Sequence, residues 1–275
     1  MKGGLSMTTS IDTGFENLKK RVNSSIFAHP IIQDNNYCEW FSKGNISKQY
    51  VIDFTIQFSV FSNQFLIAQL MKVINAQTLE EARAGKEILC NELGVIFTSK
   101  DTDNKMVGTD LVGIQGTVNN SVYKFEAAHF EWLVNFAEPL GLKYENLGKP
   151  QFALPSTSFF CKELQRLYGS ADPQTALGAS FAVENWAASG FWKQLITGIE
   201  KFNIETDMNL KLFFFKWHDA LEAQHAQHTW SELEEVYLSS PDFDTNLFID
   251  SAVEMLDGVS MFWNGLDKQR SSGVS

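Results

Sequence analysis

Residues 213–230 read FFFKWHDALEAQHAQHTW, and within them His218, Glu222 and His225 follow one another at spacings of four and three. Helical periodicity extends this stretch to about 208–239. At about 100° per residue, the three polar side chains lie within roughly 60° of one another on the helix surface. They lie on or beside its apolar face, where each unsatisfied group costs roughly 1–3 kcal/mol. Because imidazole and carboxylate are ligands of first-row metals, the stretch predicts a helix that contributes to a metal site.

The composition indicates a cytoplasmic protein with a large core. Of the 275 residues, 44% are hydrophobic, 23 are phenylalanine, and the net charge is −11. No basic stripe is present, so nucleic acid is not expected as a partner. No membrane is expected as a partner either. The longest apolar runs are far short of the roughly 20 residues of a membrane span, and the start lacks the apolar stretch of a signal peptide. Three scattered cysteines, Cys38, Cys90 and Cys161, are typical of reduced thiols.

Helical patterns cover most of the chain, and no convincing strand alternation is present. The least regular segment, 98–119, is rich in Asp, Gly and Thr and is predicted to be a loop. We therefore expect one all-α domain of about seven helices over residues 1–275, with loose tails at 1–12 and 269–275. The predicted helices are 48–75 after a Ser47 cap, 78–94 after a Thr78 capping box, 121–138, 156–168, 172–202, 208–239 and 245–266.

Two other predicted helices carry ionisable residues within apolar stripes. In 172–202, Glu184 is the one polar member of a stripe of apolar residues spaced by three or four. In 121–138, Glu126 and His129 are three residues apart among inward-facing apolar residues. This Glu–His spacing is the one used in ferritin-like di-iron bundles. A carboxylate placed in this way must be paired, protonated or bound to metal.

Taken together, three helices offer three carboxylates and three imidazoles. Six such ligands suffice for two metal ions with positions open for O2 and a substrate, and oxygen with imidazole ligands indicates iron or manganese rather than structural zinc. Glu92, at the end of helix 78–94, competes with Glu126 as the first carboxylate. Asp219 and His228 are interpreted as hydrogen-bond partners that orient the ligating side chains, and for His228 a surface position also stays open. The candidate ligands are Glu126, His129, Glu184, His218, Glu222 and His225.

Simpler interpretations of the single residues stay open. A histidine on a helix is more often a hydrogen-bonded core or surface residue, and Glu184 alone could form a buried salt bridge to Lys193. His29 is interpreted as structural and Cys161 as an inert core residue. Phe54, Phe58, Phe61 and Phe65, at spacings of four, three and four, form a stripe that is interpreted as core. The alternative is that part of it, Phe58, Phe61 and Phe65 together with Phe181, lines an apolar substrate pocket.

On these residues the chain resembles the haem-oxygenase-like di-iron oxidases and oxygenases, relatives of the thiaminase II and pyrroloquinoline-quinone synthase families with a seven-helix fold. The resemblance covers nearly the whole length. Its most specific part is His218-x3-Glu222-x2-His225, with His218 standing 34 residues after Glu184. Further similarity lies in His29-Pro30, in KGNIS at 43–47, in NELG at 91–94 and in LGL at 140–142.

The resemblance implies a homodimer that binds two Fe(II) ions through Glu126, His129, Glu184, His218, Glu222 and His225. It also implies reaction with O2 through a peroxo-diferric species to oxidise a small amino acid, amine or fatty acid. The outcomes in this group are C–C cleavage, decarboxylation and N-oxygenation. The chain departs from the pattern in two places: Glu222 stands where the group usually has Asp, and 98–119 looks like an insertion. Both Glu92 and Glu126 therefore stay open as the first carboxylate.

Two other function classes share this fold. A metal-free enzyme of the thiaminase or quinone-synthase kind would use the same residues for acid–base chemistry. Against the thiaminase branch, no cysteine lies near Glu184 in the nucleophile context of that family. A non-catalytic interaction protein, like the Chlamydia protein associating with death domains, would need an exposed apolar surface and would bind its partner independently of the six ligands.

Overall fold

Eleven α-helices make up nearly all the regular structure of the described residues. The structure, a computed structural model, describes residues 4–94, 114–115, 122–123 and 128–272, and within these ranges it excludes the side chains of 4–12, 91, 114–115, 122–123 and 221–228. The predicted all-α class is confirmed, with more helices than the expected seven. The helices are α1 (Gly4–Val22), α2 (Pro30–Gln33), α3 (Asn36–Ser42), α4 (Lys48–Asn75), α5 (Leu79–Glu92), α6 (His129–Ala137), α7 (Pro155–Glu163), α8 (Pro173–Ala187), α9 (Phe191–Thr206), α10 (Phe213–Ser239) and α11 (Thr245–Ser271).

Three predicted helix starts are confirmed, and each has a capping side chain. Ser47 Oγ before α4, Thr78 Oγ1 before α5 and Asp172 Oδ1 before α8 each accept a hydrogen bond from the backbone N–H three residues later, at 3.3, 3.1 and 2.8 Å. Such a bond satisfies one of the backbone donors that the first turn of a helix leaves without an intrahelical partner. The long run up to Asn75 is also confirmed, since α4 has 28 residues.

The prediction of one continuous helix over 172–202 is wrong. The chain leaves α8 after Ala187 and begins α9 at Phe191, with Gly190 between them at φ +100°. This left-handed conformation is readily accessible to glycine and ends a helix. Glu184 therefore lies in the last turn of α8, and the apolar residues that follow the break belong to a different helix.

The helix predicted to start at residue 121 begins eight residues later, at His129. Ala128 before it is extended, and Val122–Tyr123 pairs antiparallel with Ile114–Gln115. This short pair lies where the sequence predicted a loop and the first turn of a helix, and at Val122 and Tyr123 a β-branched and an aromatic residue favour extended backbone. Glu126 lies outside the described residues, so no helix is described that carries both Glu126 and His129.

The bounds of the last two helices also differ from the prediction. The helix α10 begins at Phe213 rather than at 208, because Asp207 and Asn209 adopt positive φ angles of 55° and 52° just before it. The helix α11 continues to Ser271. Helices thus extend into both terminal segments, 1–12 and 269–275, whose looseness stays a prediction.

The core lies where α11 packs against α8 and α7, and where α10 packs against α8 and α9. Gly178 on α8 allows a close approach to α11, since a Cβ there would overlap the carbonyl of Phe248. Large aromatic side chains fill the space between the helices. Those that are fully buried include Phe54, Phe58, Phe136, Phe160, Phe181, Trp186, Phe202, Phe215, Phe248 and Trp263.

One helix in the described part of the chain, α4, is long and apolar enough to cross a membrane by length and composition alone. Half of its most apolar window is buried inside the protein. That burial is what the core helix of a globular domain shows, and the cytoplasmic location stays a prediction.

Candidate metal centre

Three residues from separate helices meet at one point of the interior. Glu92 is the last residue of α5, His129 is the first residue of α6, and His218 lies in the second turn of α10. Their ligand atoms all lie within 4.8 Å of one another. Two imidazoles and a carboxylate at this separation could share one metal ion.

The surroundings of His129 indicate most clearly that this site binds a ligand. It is only 6% exposed, and its Nδ1 lies 3.1 Å from Oε2 of Glu92. Despite this short distance, Nδ1 forms no hydrogen bond with acceptable geometry to any described residue. A buried polar atom in this state destabilises the protein unless another group satisfies it. A cation between the nitrogen and the carboxylate would do so, and the residues present therefore fit a metal ion.

His218 is held in a defined tautomer. Its Nδ1 lies 2.7 Å from the carbonyl oxygen of Phe214, one turn earlier in α10. Since a carbonyl only accepts hydrogen bonds, Nδ1 carries a proton, and in the neutral ring Nε2 keeps its lone pair. This is the usual arrangement of a metal-binding histidine, whose second nitrogen donates to a carbonyl or carboxylate.

Aromatic rings fix the planes of both imidazoles. Trp132 stacks on His129 at 4.9 Å between ring centroids, and Trp192 stacks on His218 at 4.8 Å. The two imidazoles themselves lie 4.9 Å apart at 75°. Stacked indole rings limit rotation of the imidazoles and keep water away from this side of the site. Sequence reasoning missed both tryptophans; Trp132 follows His129 by three residues and could have been found, whereas Trp192 comes from another helix.

A cavity of about 130 Å³ opens beside the three residues. Three of the four predicted pocket residues line it, namely Phe58, Phe61 and Phe65. Phe181 instead packs against Trp230 and other core aromatics away from the described lining. The remaining apolar lining comes from α5, α8, α9 and α10, with Ile88, Val183, Trp186, Ala187, Trp192, Phe214 and Trp217.

Glu184 lines the same cavity but stands apart from the three-residue group. It is half-buried, and its charge acts on Lys72 of α4. Burial lowers the pKa of Lys72, but Tyr168 and the carboxylates of Glu232 and Glu184 outweigh this and raise the pKa above its ordinary value. Lys193, which the sequence offered as a partner for Glu184, is exposed on α9.

The other predicted site residues are placed as follows. Glu222, His225 and His228 belong to α10, but their side chains lie outside the described residues, as does Glu126 altogether. Asp219 is half-buried next to His218 in the chain. The structure thus brings together Glu92, His129, His218 and, in the same cavity, Glu184, and the role of the six as ligands stays a prediction.

No protein-family model matches the sequence, and no curated protein matches it. Among solved structures, a TenA homologue from Pseudomonas syringae pv. tomato superposes with a TM-score of 0.63 at 11% identity, covering 92% of each chain. A domain of unknown function with a haem-oxygenase-like fold from Shewanella denitrificans superposes with a TM-score of 0.58 at 15% identity, covering 100% of this chain and 97% of that one. The fold is haem-oxygenase-like. At these identities the similarity establishes the fold alone. The resemblance to haem-oxygenase-like proteins inferred from the sequence is therefore confirmed for the fold.

Proposed function

We propose that this protein is a non-haem di-iron oxidase or oxygenase that uses O2 to oxidise a small organic substrate. The observation that carries the proposal is the unsatisfied Nδ1 of His129, buried beside Glu92 and within 4.8 Å of the ligand atom of His218. Carboxylate and imidazole donors without thiolate suit iron or manganese. Among the described lining residues of the cavity there is no cysteine, which agrees with that donor set.

One metal ion would be held by Glu92, His129 and His218. The contact between Glu92 and His129 favours Glu92 over Glu126 as the first carboxylate. Glu184, with Glu222 and His225, would hold the second ion. When bound, the metal supplies Lewis acidity and redox chemistry towards O2.

The protein itself contributes orientation and exclusion of water. The bond between His218 Nδ1 and the Phe214 carbonyl keeps a lone pair available on the other ring nitrogen. The phenylalanines and tryptophans around the cavity exclude water, which strengthens electrostatic interactions inside it and limits side reactions. Its small volume and apolar lining suit a compact substrate with an apolar body.

The same geometry supports a second candidate function. A carboxylate 3.1 Å from an imidazole nitrogen is also within the distance needed for a general acid–base pair. A metal-free enzyme of the thiaminase or quinone-synthase kind would use Glu92 to orient His129 and would keep its activity in the presence of a chelator.

The homodimer is a further proposal. Ile67, Leu70 and Ile74 recur at spacings of three and four on α4 and are 41%, 47% and 70% exposed. An apolar face of this kind suits association with another protein surface, either a second copy or a partner. Sedimentation of the wild-type chain and of an Ile74→Glu variant would test it, with a monomeric wild type as the result that contradicts the dimer.

The test of the proposed function is anaerobic loading with Fe(II), followed by measurement of iron content and of the visible spectrum after exposure to O2. We expect two iron ions per chain and a transient visible band. In His129→Ala the band and the ion held by Glu92, His129 and His218 should be lost. His29→Ala is the matched control, since His29 is similarly buried but is not among the described lining residues of the cavity. A protein that takes up no iron and converts substrate in chelator would support the acid–base function instead.

A further inference from the structure

Four tryptophans at the cavity and behind it have indole N–H groups that are buried without a partner. They are Trp186, Trp192, Trp217 and Trp263, and none of these nitrogens makes a hydrogen bond in the described part of the chain. A buried indole N–H usually has an acceptor, and an unsatisfied one costs free energy. Phenylalanine would fill much of the same space without that cost. An unsatisfied buried group can indicate a redox role, and indole loses an electron far more easily than benzene does.

Trp192 connects these tryptophans to the candidate metal centre. Its indole stacks on the imidazole of His218, with 4.8 Å between ring centroids and 22° between ring planes. The same indole lies 4.5 Å from the ring of Phe191, which in turn lies 5.6 Å from Trp263. Phe191 also stacks on Trp186 at 4.7 Å and 8°. An electron can therefore pass between His218 and Trp263 through neighbouring rings.

The row of rings continues from Trp263 to the protein surface. The centroid of Trp263 lies 5.7 Å from that of Tyr37, and Tyr37 lies 5.5 Å from Trp40. Trp263 and Tyr37 are only 1% and 3% exposed, whereas Trp40 is partly exposed. One end of the row thus contacts a candidate metal ligand, and the other end reaches solvent. Phe191 and Tyr37 are the bridging rings between the three indoles.

The buried and exposed ends of this row differ in what an oxidised indole can do with its proton. The N–H groups of Trp192 and Trp263 have no acceptor among the described residues, so an oxidised ring there keeps its proton and stays a radical cation. A radical cation is a strong oxidant, which favours its reduction by the next indole. Trp40 is partly exposed and can release its proton to water. The guanidinium of Arg270 lies 4.3 Å from the centroid of the Trp40 ring, disfavours a positive charge there and so favours the loss of that proton.

We propose that Trp192, Trp263 and Trp40 form an electron-transfer path that protects the cavity when O2 is activated without substrate. This inference rests on the proposed function, because the oxidant is the one that the metal centre forms from O2. In each event Trp192 gives one electron to that oxidant, and Trp263 and then Trp40 replace it.

The electrons and protons of this path balance. Trp40 loses one electron inward and releases its N–H proton to solvent. An external one-electron donor such as ascorbate returns the electron, and solvent returns the proton. Two such events with two protons reduce an oxidant equivalent to one oxygen atom to water. The path therefore needs a reductant at the surface and no second substrate in the cavity.

The experiment exposes the full chain, loaded with Fe(II), to O2 without substrate, in the presence of catalase and with or without ascorbate. Electron paramagnetic resonance of frozen samples detects tryptophan radicals, and peptide mass spectrometry locates oxidised tryptophans. In the wild type we expect a tryptophan radical and oxidation mainly at Trp40, both suppressed by ascorbate. In Trp263→Phe the oxidation at Trp40 should be lost and should appear at Trp192. Trp230→Phe is the matched control, since Trp230 is partly buried against Phe181 outside the path, and it should behave as the wild type.

Several results would overturn the inference. Oxidation of Trp40 that persists in Trp263→Phe would mean that diffusing oxidants reach it from solvent. Oxidation confined to Trp132 and Trp217, whose rings lie 5.5 Å apart, would mean that the electron comes from the indoles beside His129 instead. If Trp263→Phe does not fold, Trp40→Phe at the partly exposed end replaces it, and oxidation should then accumulate at Trp263.

The same samples distinguish failure of the path from failure of the proposed function. Iron uptake and a transient visible band without any tryptophan radical or oxidised tryptophan would refute only the path. A protein that takes up no iron, or shows no band with O2, would refute the proposed function and with it the path, since no oxidant would then form in the cavity.

Discussion

His29 and His129 are two equally buried histidines with opposite surroundings. At 8% and 6% exposed they differ little in burial. His29 Nδ1 accepts a hydrogen bond from the backbone of Ile31 at 3.3 Å, and its Nε2 lies 3.2 Å from Asp257. His129 Nδ1, in contrast, has a carboxylate 3.1 Å away but no hydrogen bond to any residue in the described part of the chain. Burial therefore does not distinguish a structural histidine from a candidate ligand. What distinguishes them is whether the neighbours of the ring nitrogens lie in a direction that allows hydrogen bonds.

The largest difference between the two histidines is expected in iron affinity, when each imidazole is removed in turn. In His129→Ala we expect iron affinity to fall by more than the roughly 10–100-fold that loss of a supporting group causes, because a ligand itself is removed. In His29→Ala iron affinity should stay within about twofold of the wild type. Iron content after dialysis against graded chelator measures both. An equal loss in the two variants would mean that His129 acts through folding rather than as a ligand.

In the metal-free protein, the free energy of unfolding should fall more for His29→Phe than for His129→Phe. His29→Phe removes the cap of α2 and its bond to Ile31, so the free energy of unfolding should fall by about 1–2 kcal/mol. His129→Phe removes an unsatisfied nitrogen and keeps an aromatic ring against Trp132, so the loss should be smaller. Urea unfolding in chelator gives both values. A larger loss for His129→Phe would show that its nitrogen is satisfied in the apo protein.

A smaller effect on stability is expected from the pair that His29 forms with Asp257. Its partner Asp257 has a side chain that is 68% exposed, so solvent screens the pair. Asp257→Asn should therefore lower the free energy of unfolding by at most about 1 kcal/mol. A double-mutant cycle with His29→Phe measures the coupling. A coupling well above that value would make the pair, rather than the backbone cap, the main role of His29.

The smallest effect is expected at Cys161, which is buried without a site around it. It lies outside the described lining of the cavity, and burial raises its pKa to about 12. Since thiols react as thiolates, iodoacetamide at pH 8 should leave Cys161 unmodified in the native chain and modify it after unfolding. Peptide mass spectrometry measures the labelling. Rapid labelling of the native chain would contradict the interpretation of Cys161 as an inert core residue.

Features set by neighbouring residues could be predicted from the sequence, and those set by distant residues could not. Ser47 and Asp172 cap their own helices, so the starts of α4 and α8 followed from local pattern. The break at Gly190 was missed because an isolated glycine in an apolar stripe is also tolerated inside a helix. The contact between Glu92 and His129 joins residues on either side of an irregular segment, and no local spacing indicates it.

The position of α4 along the cavity has a consequence for how ligand size could change. Phe61, Phe65 and Gln69 follow one another at intervals of four residues, which is about 6 Å of helix per interval. The fully buried Phe54 and Phe58 anchor the earlier turns of the same helix. A substitution at one of the later positions would shorten or lengthen the accessible space by roughly one helical turn while the anchoring turns stay unchanged. Natural variation or directed evolution could thus move between shorter and longer ligands in single-residue steps along one rigid helix.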